Sequence, residues 1–205
     1  MAVSRLSQTS LQNAFQKFNN VWDGLSAVGG MDALGVFTVG ASSVSSITFS
    51  SIPQTYTHLQ IRAMLKITRA SQNGAATAMR FNGDTSATTN YRSWAYEGSN
   101  TTVSTGYYTD AASGIYGIRA IDTTGTNNST YFGPSIVDIL EYTNTNKKKL
   151  VKSITGYDSA SATDKDYRQY AGIWLQTTAI STLNIIPCYG TAFEPNSTIA
   201  LYGIK

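Results

Sequence analysis

From Val44 to the C-terminus the apolar residues recur with a period of two, the period of a β-strand. The clearest run sets Leu59, Ile61, Ala63 and Leu65 against Gln60, Arg62, Met64 and Lys66. Successive strand side chains point to opposite faces, so this run places four apolar residues on one side. A slip of one residue would expose all four, which pins the register. Similar runs span Thr77 to Phe81, Tyr91 to Tyr96, Val103 to Tyr108, Ile115 to Ile121, Ser135 to Glu141, Leu150 to Gly156, Tyr170 to Leu175, Thr182 to Ile186 and Thr198 to Ile204. Turn residues separate them, and Asn82-Gly83-Asp84 suits a hairpin because Asn-Gly accepts the positive φ angles of a type I′ turn. About ten short strands with no helical pattern among them predict an all-β domain over residues 44–205, an antiparallel β-sandwich or jelly roll. The last run is apolar on both faces, Ile199 and Leu201 against Ala200, Tyr202 and Ile204. That predicts a central strand or one covered by a partner.

Residues 1–43 read differently. Thr9-Ser10-Leu11-Gln12 fits a capping box, and Leu11, Ala14, Phe15, Phe18 and Trp22 follow at helical spacing. Gly24 can stop this helix, and the Gly-rich stretch from Ala27 to Ser43 reads as an arm with a short strand at Val36 to Val39. An isolated helix of this length is marginal in water, so the stripe of Leu11, Phe15, Phe18 and Trp22 must bury against something. The expectation is an attachment element; the competing reading folds the stripe back onto the chain's own β domain.

Composition narrows the function classes. Charged residues make up 13% of the chain, against about 25% in an ordinary globular protein, and Ser, Thr, Asn and Gly take their place. Such a surface suits extracellular β-proteins and assembly components. A net charge of +3 is too small to point to nucleic acid. Lys147-Lys148-Lys149, with Lys152 nearby, lies between Asn-rich turn residues and a strand-like run and reads as a solvated hairpin end, and no aromatic residues interleave with it as a single-strand binding groove would want. No stretch approaches the roughly 18 apolar residues of a membrane-spanning helix, and Met1-Ala2-Val3-Ser4-Arg5 leads into no signal-peptide core. No membrane insertion is expected.

Catalytic constellations are scarce. His58 is the single histidine and Cys188 the single cysteine, too few for a zinc site of the usual ligands. No Gly-x-Ser-x-Gly elbow accompanies His58, and Cys188, in Ile185-Ile186-Pro187-Cys188, reads as a buried inert thiol. Asp138 with Glu141 and Asp164-Lys165-Asp166 are the closest carboxylate groupings, and the latter reads as a polar turn. A glycan hydrolase would need two carboxylates across a sugar cleft and stands as a remote reading. No calcium loop, P-loop or dinucleotide fingerprint occurs, so neither metal nor cofactor is expected and the chain reads as non-enzymatic. The remaining resource is aromatic. Tyr91, Trp94, Tyr96, Tyr107 and Tyr108 are candidates to face a ligand such as a host-surface glycan, against the alternative that each fills the core.

Three segments carry a family resemblance. They are Ser46-Ile47-Thr48-Phe49-Ser50-Ser51-Ile52-Pro53-Gln54-Thr55-Tyr56-Thr57-His58-Leu59-Gln60-Ile61-Arg62, then Met79-Arg80-Phe81-Asn82-Gly83-Asp84 followed by Asn90-Tyr91, and the ending Ser197-Thr198-Ile199-Ala200-Leu201-Tyr202-Gly203-Ile204-Lys205. Together they resemble a family of virion structural proteins of tailed bacteriophages, common among phages of cyanobacteria and marine bacteria. The resemblance covers roughly Val44 to Lys205 and contains no catalytic motif. It implies an exterior particle component: tail fibre, head fibre or capsid decoration, in contact with other virion proteins. It further implies assembly in the host cytoplasm, release by lysis, and a homo-oligomer, with threefold symmetry expected from the family.

Overall fold

The computed structural model describes residues 30–69, 74–86, 90–99, 102–108, 114–122, 130–158 and 165–205. The proposed helix, with Leu11, Phe15, Phe18 and Trp22, lies outside these residues. Those described form twelve strands and no helical element. In chain order they are β1 (Met31–Thr38), β2 (Ile47–Phe49), β3 (His58–Ile67), β4 (Gly74–Phe81), β5 (Tyr91–Ser99), β6 (Thr102–Tyr108), β7 (Ile115–Asp122), β8 (Gly133–Leu140), β9 (Lys149–Asp158), β10 (Lys165–Trp174), β11 (Leu183–Pro187) and β12 (Thr198–Ile204). The short strand expected at residues 36–39 begins earlier, at Met31, and pairs with β12 along its length. Part of the Gly-rich arm is therefore sheet.

Hydrogen bonding links all twelve strands into one large, mostly antiparallel sheet. One limb runs β1-β12-β3-β8-β9-β10-β5-β6, and the other runs β2-β11-β4-β7. They join where Lys66 and Ile67 of β3 pair in parallel with Ile121 and Asp122 of β7. The short limb lies over the long one, with β7 packed across β8, β9 and β10. The alternation in β3 appears as expected: Leu59, Ile61, Ala63 and Leu65 are buried. They meet Val137, Ile139, Ile199 and Leu201 of the long limb and Met79, Phe81, Ile118 and Ile185 of the short limb in one core cluster. β12 is central, between β1 and β3.

The layer gap holds polar groups as well. The Tyr116 N–H donates to Ser93 Oγ (3.1 Å), and the Arg119 N–H donates to Thr155 Oγ1 (3.0 Å) and Ser135 Oγ (3.3 Å). Buried amides need acceptors, so the long limb presents hydroxyls where β7 crosses it. β7 also lies close there: a Cβ on Gly117 would come within 2.7 Å of Met79 Cε and 3.4 Å of Ser153 Oγ.

Three local expectations change. The Asn82-Gly83 turn forms with positive φ at both residues (52° and 71°), and the Asp84 N–H donates to Phe81 O at 2.9 Å. It does not make a hairpin. The Asn82 side chain bonds Ala179 O and the Ser181 and Thr182 amides, which ties β4 to β11, while β5 leaves for the other limb. Lys149 is fully buried rather than solvated: its ammonium donates to Lys147 O (3.1 Å), Thr177 O (3.0 Å) and Asn144 O. Burial pulls its pKa below the ordinary lysine value, and Glu141 acts in the opposite sense. Asp166 is not in a turn. It is a buried residue of β10, and its Oδ2 accepts from Arg119 Nη2 at 2.6 Å.

Candidate interaction surface

The inner face of the long limb is core, so what its outer face carries decides what the molecule can meet. Directly opposed residues of antiparallel strands share a face, so the register defines the rows. One row runs Val36, Ala200, Arg62, Ile136, Ile154, Gln169, Tyr96, Thr105 across β1, β12, β3, β8, β9, β10, β5 and β6. The next runs Tyr202, Gln60, Asp138, Lys152, Ala171, Trp94. Leu140 opposes Leu150 beyond one edge, and Tyr167, Gly98 and Val103 line up beyond the other. Of the thirteen exposed large hydrophobic residues among those described, eleven lie on the strands of this face, Tyr131 borders it just before β8, and Tyr189 follows β11 of the short limb.

β8 and β9 bury apolar Val137, Ile139 and Val151 as usual but invert the pattern at their other positions. In β9, Leu150 and Ile154 are exposed (50% and 45%) while Ser153 and Thr155 are buried. In β8, Ile136 is exposed and Ser135 is buried. The buried Ser135 and Thr155 hydroxyls accept from the Arg119 amide of β7, as above, while Ser153 Oγ has no hydrogen-bond partner among the described residues. Nothing in the described chain covers the apolar side chains opposite them.

Three shallow grooves follow the same face. One of about 380 Å³ is lined by Val36, Met64, Ile136 and Tyr202, and one of about 550 Å³ by Tyr131, Ile136, Ile154 and Tyr167. A third, of about 390 Å³, is lined by Trp94, Tyr96, Lys152 and Gln169. Charge on the face is sparse and largely answered within it. Asp138 accepts from Gln60 Nε2 (2.8 Å) and sits opposite Lys152, while the Arg62 guanidinium lies 5.5 Å from the centre of the Tyr202 ring.

The aromatic candidates separate. Trp94 and Tyr96 stand half-exposed on the outer face of β5. Tyr91 does not belong with them: it is buried, stacks on Trp174 at 6.4 Å, and its hydroxyl accepts from the Phe81 N–H and donates to Asp84 O. Strand alternation explains the split, because odd positions of β5 face the gap and even ones face out. Desolvation pushes the Tyr91 hydroxyl pKa up to about 12. Tyr107 and Tyr108 of β6 sit opposite Trp94 and Ser93 in register.

The other reactive types are held by neighbours. His58 Nδ1 accepts the Glu141 backbone N–H at 2.9 Å, and the Glu141 carboxylate pairs with Lys147 (2.8 Å). Cys188 is half-buried just after β11, less enclosed than its sequence suggests. Among the described residues, no group of three or more His, Cys, Asp or Glu side chains is placed to hold a metal ion. Sequence reading placed Met64 opposite the buried face of β3, where it is exposed, but missed Ile136, Ile154 and Leu150 as surface residues. The available signal was the Ser-Ile-Val and Ser-Ile-Thr runs, in which polar and apolar residues could exchange faces.

No family model matches the chain, and no curated protein does. A crystal structure of a protein of unknown function from Shewanella oneidensis MR-1 aligns over 100% of this chain and 97% of that one, at 10% identity and a TM-score of 0.23.

Proposed function

We propose that the chain is a non-enzymatic structural component of a tailed-phage virion, exposed on the particle exterior and assembled as a homo-oligomer through the outer face of its long limb. It would serve as tail fibre, tail-associated protein, head fibre or capsid decoration, with the segment before β1 supplying the anchor and the β domain, β1 included, displayed outward. The observation that carries the assembly reading is the concentration, among the described residues, of eleven of thirteen exposed large hydrophobics on one sheet face. Monomeric proteins rarely expose contiguous apolar patches beyond a few hundred Å². The eight strands of the long limb span about 34 Å, and a strip six residues long gives about 680 Å² before surface relief, close to the roughly 800 Å² per partner of a standard interface. A single helix of the length expected for residues 9–23, about 22 Å long and 10–12 Å wide, would cover less than half of that area, which favours a second copy over the N-terminal stripe as the occupant.

The fold we propose for the domain is a jelly-roll sandwich. The support is the path of the chain: β2, β4, β7 and β11 lie in the short limb, and the chain returns to the long limb after each. Each limb thus interleaves early and late strands, as in the double Greek key of capsid and lectin domains. The resemblance of the three sequence segments supplies the virion assignment.

A second reading, a host-glycan recognition module, rests on one specific observation. Trp94 and Tyr96 are half-exposed beside Gln169 and Lys152, a flat aromatic platform with polar neighbours that suits a sugar ring. A particle image at side-chain resolution tests the main proposal. The expected result is density for this chain on the exterior, with neighbouring copies in contact through Ile136 and Ile154. Absence of the chain from purified particles overturns it.

A further inference from the structure

A histidine stands in the apolar end row of the outer face. Ile204 of β12 pairs with Met31 of β1 on one side and with His58 of β3 on the other. His58 also shares a groove of about 170 Å³ with Leu140 and Leu150, which oppose one another in β8 and β9. The row is therefore apolar on both sides of the imidazole. His58 is the single histidine of the chain.

The two ring nitrogens have different tasks. His58 Nδ1 accepts the Glu141 backbone N–H at 2.9 Å. Only an unprotonated nitrogen accepts, so the ring in this arrangement is neutral and carries its proton on Nε2. The amide it holds belongs to a strained residue. Glu141 has a φ of 45°, in the left-handed region that residues with a side chain rarely occupy. Glu141 opens the 141–148 turn between β8 and β9. Its carbonyl accepts from the Asn144 N–H (3.0 Å), and its carboxylate accepts from Asn144 Nδ2 (3.0 Å) and Lys147 Nζ (2.8 Å). The Asn144 and Lys147 carbonyls in turn take the buried Lys149 ammonium. The His58–Glu141 bond thus fixes the first residue of a network that runs into β9.

A proton taken from solvent by Nδ1 breaks this arrangement. The new N–H would point at the Glu141 N–H, so the acceptor is lost and two donors face each other. The charges on the surrounding elements are already engaged. Glu141, Lys147 and Lys148 share the groove with the ring, and the Glu141 carboxylate is held by Lys147 and Asn144. On β12 and β1, Lys205 and Asp32 pair at 3.7 Å, and the Tyr56 hydroxyl donates to Asp32. Asp138 of β8 sits opposite Lys152 of β9.

We propose that His58 is a proton switch on the outer face. The neutral ring latches the 141–148 turn and leaves the end row uncharged; protonation frees the turn and places a positive charge in the row. The effect on assembly rests on the reading of this face as the contact between copies, whereas the latch does not. A charge buried in an apolar contact without a counter-ion is costly, so acidification releases neighbouring copies.

Two measurements on the full chain test this, each run from about pH 8 to about pH 5, the span in which histidine changes charge. Nitrogen NMR of the single imidazole is expected to show Nδ1 bare and Nε2 protonated at the upper end. As Nδ1 takes up its proton, the Glu141 amide resonance is expected to move with the same midpoint. Light scattering is expected to show association weakened by about tenfold or more at the lower end. His58→Asn keeps an acceptor near the place of Nδ1 and cannot take up a proton. It is expected to hold the native mass and a fixed Glu141 amide throughout. His58→Lys carries a permanent charge and is expected to dissociate throughout. A proton on Nδ1 at the upper end, or a Glu141 amide that does not follow the ring, overturns the latch. Equal native mass at both ends, or a pH-dependent mass in His58→Asn, overturns the control of assembly. A chain that is monomeric throughout while its Glu141 amide follows the ring would contradict the assembly reading and support the latch.

Discussion

Asp166→Asn removes one charge from the middle of the buried ion chain and changes almost nothing in volume. In the native chain Asp166 bonds Arg119 on one side and Arg168 on the other, with side-chain exposures of 4%, 8% and 18%. The amide cannot balance either guanidinium, and Arg119 cannot shed its proton. Breaking a buried ion pair by removing one partner costs roughly 3–5 kcal/mol, because the surviving charge stays buried without its counter-ion. For a domain of this size each kcal/mol lowers the melting temperature by about 2–4 °C, so a fall of roughly 6–20 °C is expected. The assay is thermal and urea unfolding of the native chain, Asp166→Asn, Arg119→Met and the double variant. The double variant should recover part of the loss, since it removes the Arg119 charge that Asp166→Asn leaves unbalanced, while Arg168 keeps Glu97. A loss below about 1 kcal/mol for Asp166→Asn would show that water screens the pair as it does at a surface, and the argument would be refuted.

Two further outcomes follow from buried polar groups. Lys149→Met strands the carbonyls of Asn144, Lys147 and Thr177, so urea unfolding should show a loss of at least about 2 kcal/mol. For Asp84, burial alone would raise the carboxyl pKa, but hydrogen bonds from Trp174 Nε1, the Ser86 N–H and Asn90 Nδ2 outweigh it and hold the value below the ordinary one. A lowered acid pKa gives stability that is complete above the unfolded value and is lost as pH falls through the folded one. Unfolding midpoints should therefore drop below about pH 4, and Asp84→Asn should flatten that part of the profile.

Much of the fold was legible because strand alternation is a local property. The runs at β3, β5, β11 and β12 match their strands closely, since each alternates between a buried and a more open face, and the runs at β4 and β7, buried on both faces, match as continuous strand-forming stretches. Pairing was less legible. The Asn82-Gly83 turn formed as its residues demand, yet its strand partner is set by the Asn82 side chain and the 179–182 segment, a contact distant in sequence. Lys149 and Asp166 were misread for a similar reason. A charged residue next to a turn is usually solvated, and only the fold shows the three carbonyls or the arginines that hold it. The interaction surface was hidden by a reversal of the usual rule. β9 buries Thr155 where the crossing strand needs a hydroxyl and the small Ser153 where β7 passes close at Gly117, and it exposes Leu150 and Ile154. Tyr91, Trp94 and Tyr96 show how far composition reaches: it marked an aromatic cluster, and strand parity then sent Tyr91 inward and the other two outward.

The outer-face reading is tested most directly by the mass of the chain in solution, before and after that face is charged. Ile136 and Ile154 are cross-strand neighbours at the centre of the face, half-exposed and outside the core. Light scattering at micromolar concentration should give a multiple of the chain mass for the native protein, with three copies expected. Ile136→Glu combined with Ile154→Glu should give a monomer of unchanged melting temperature apart from the contribution of assembly. A native chain that is monomeric, or a double variant that keeps the native mass, would contradict the assignment of this face to assembly.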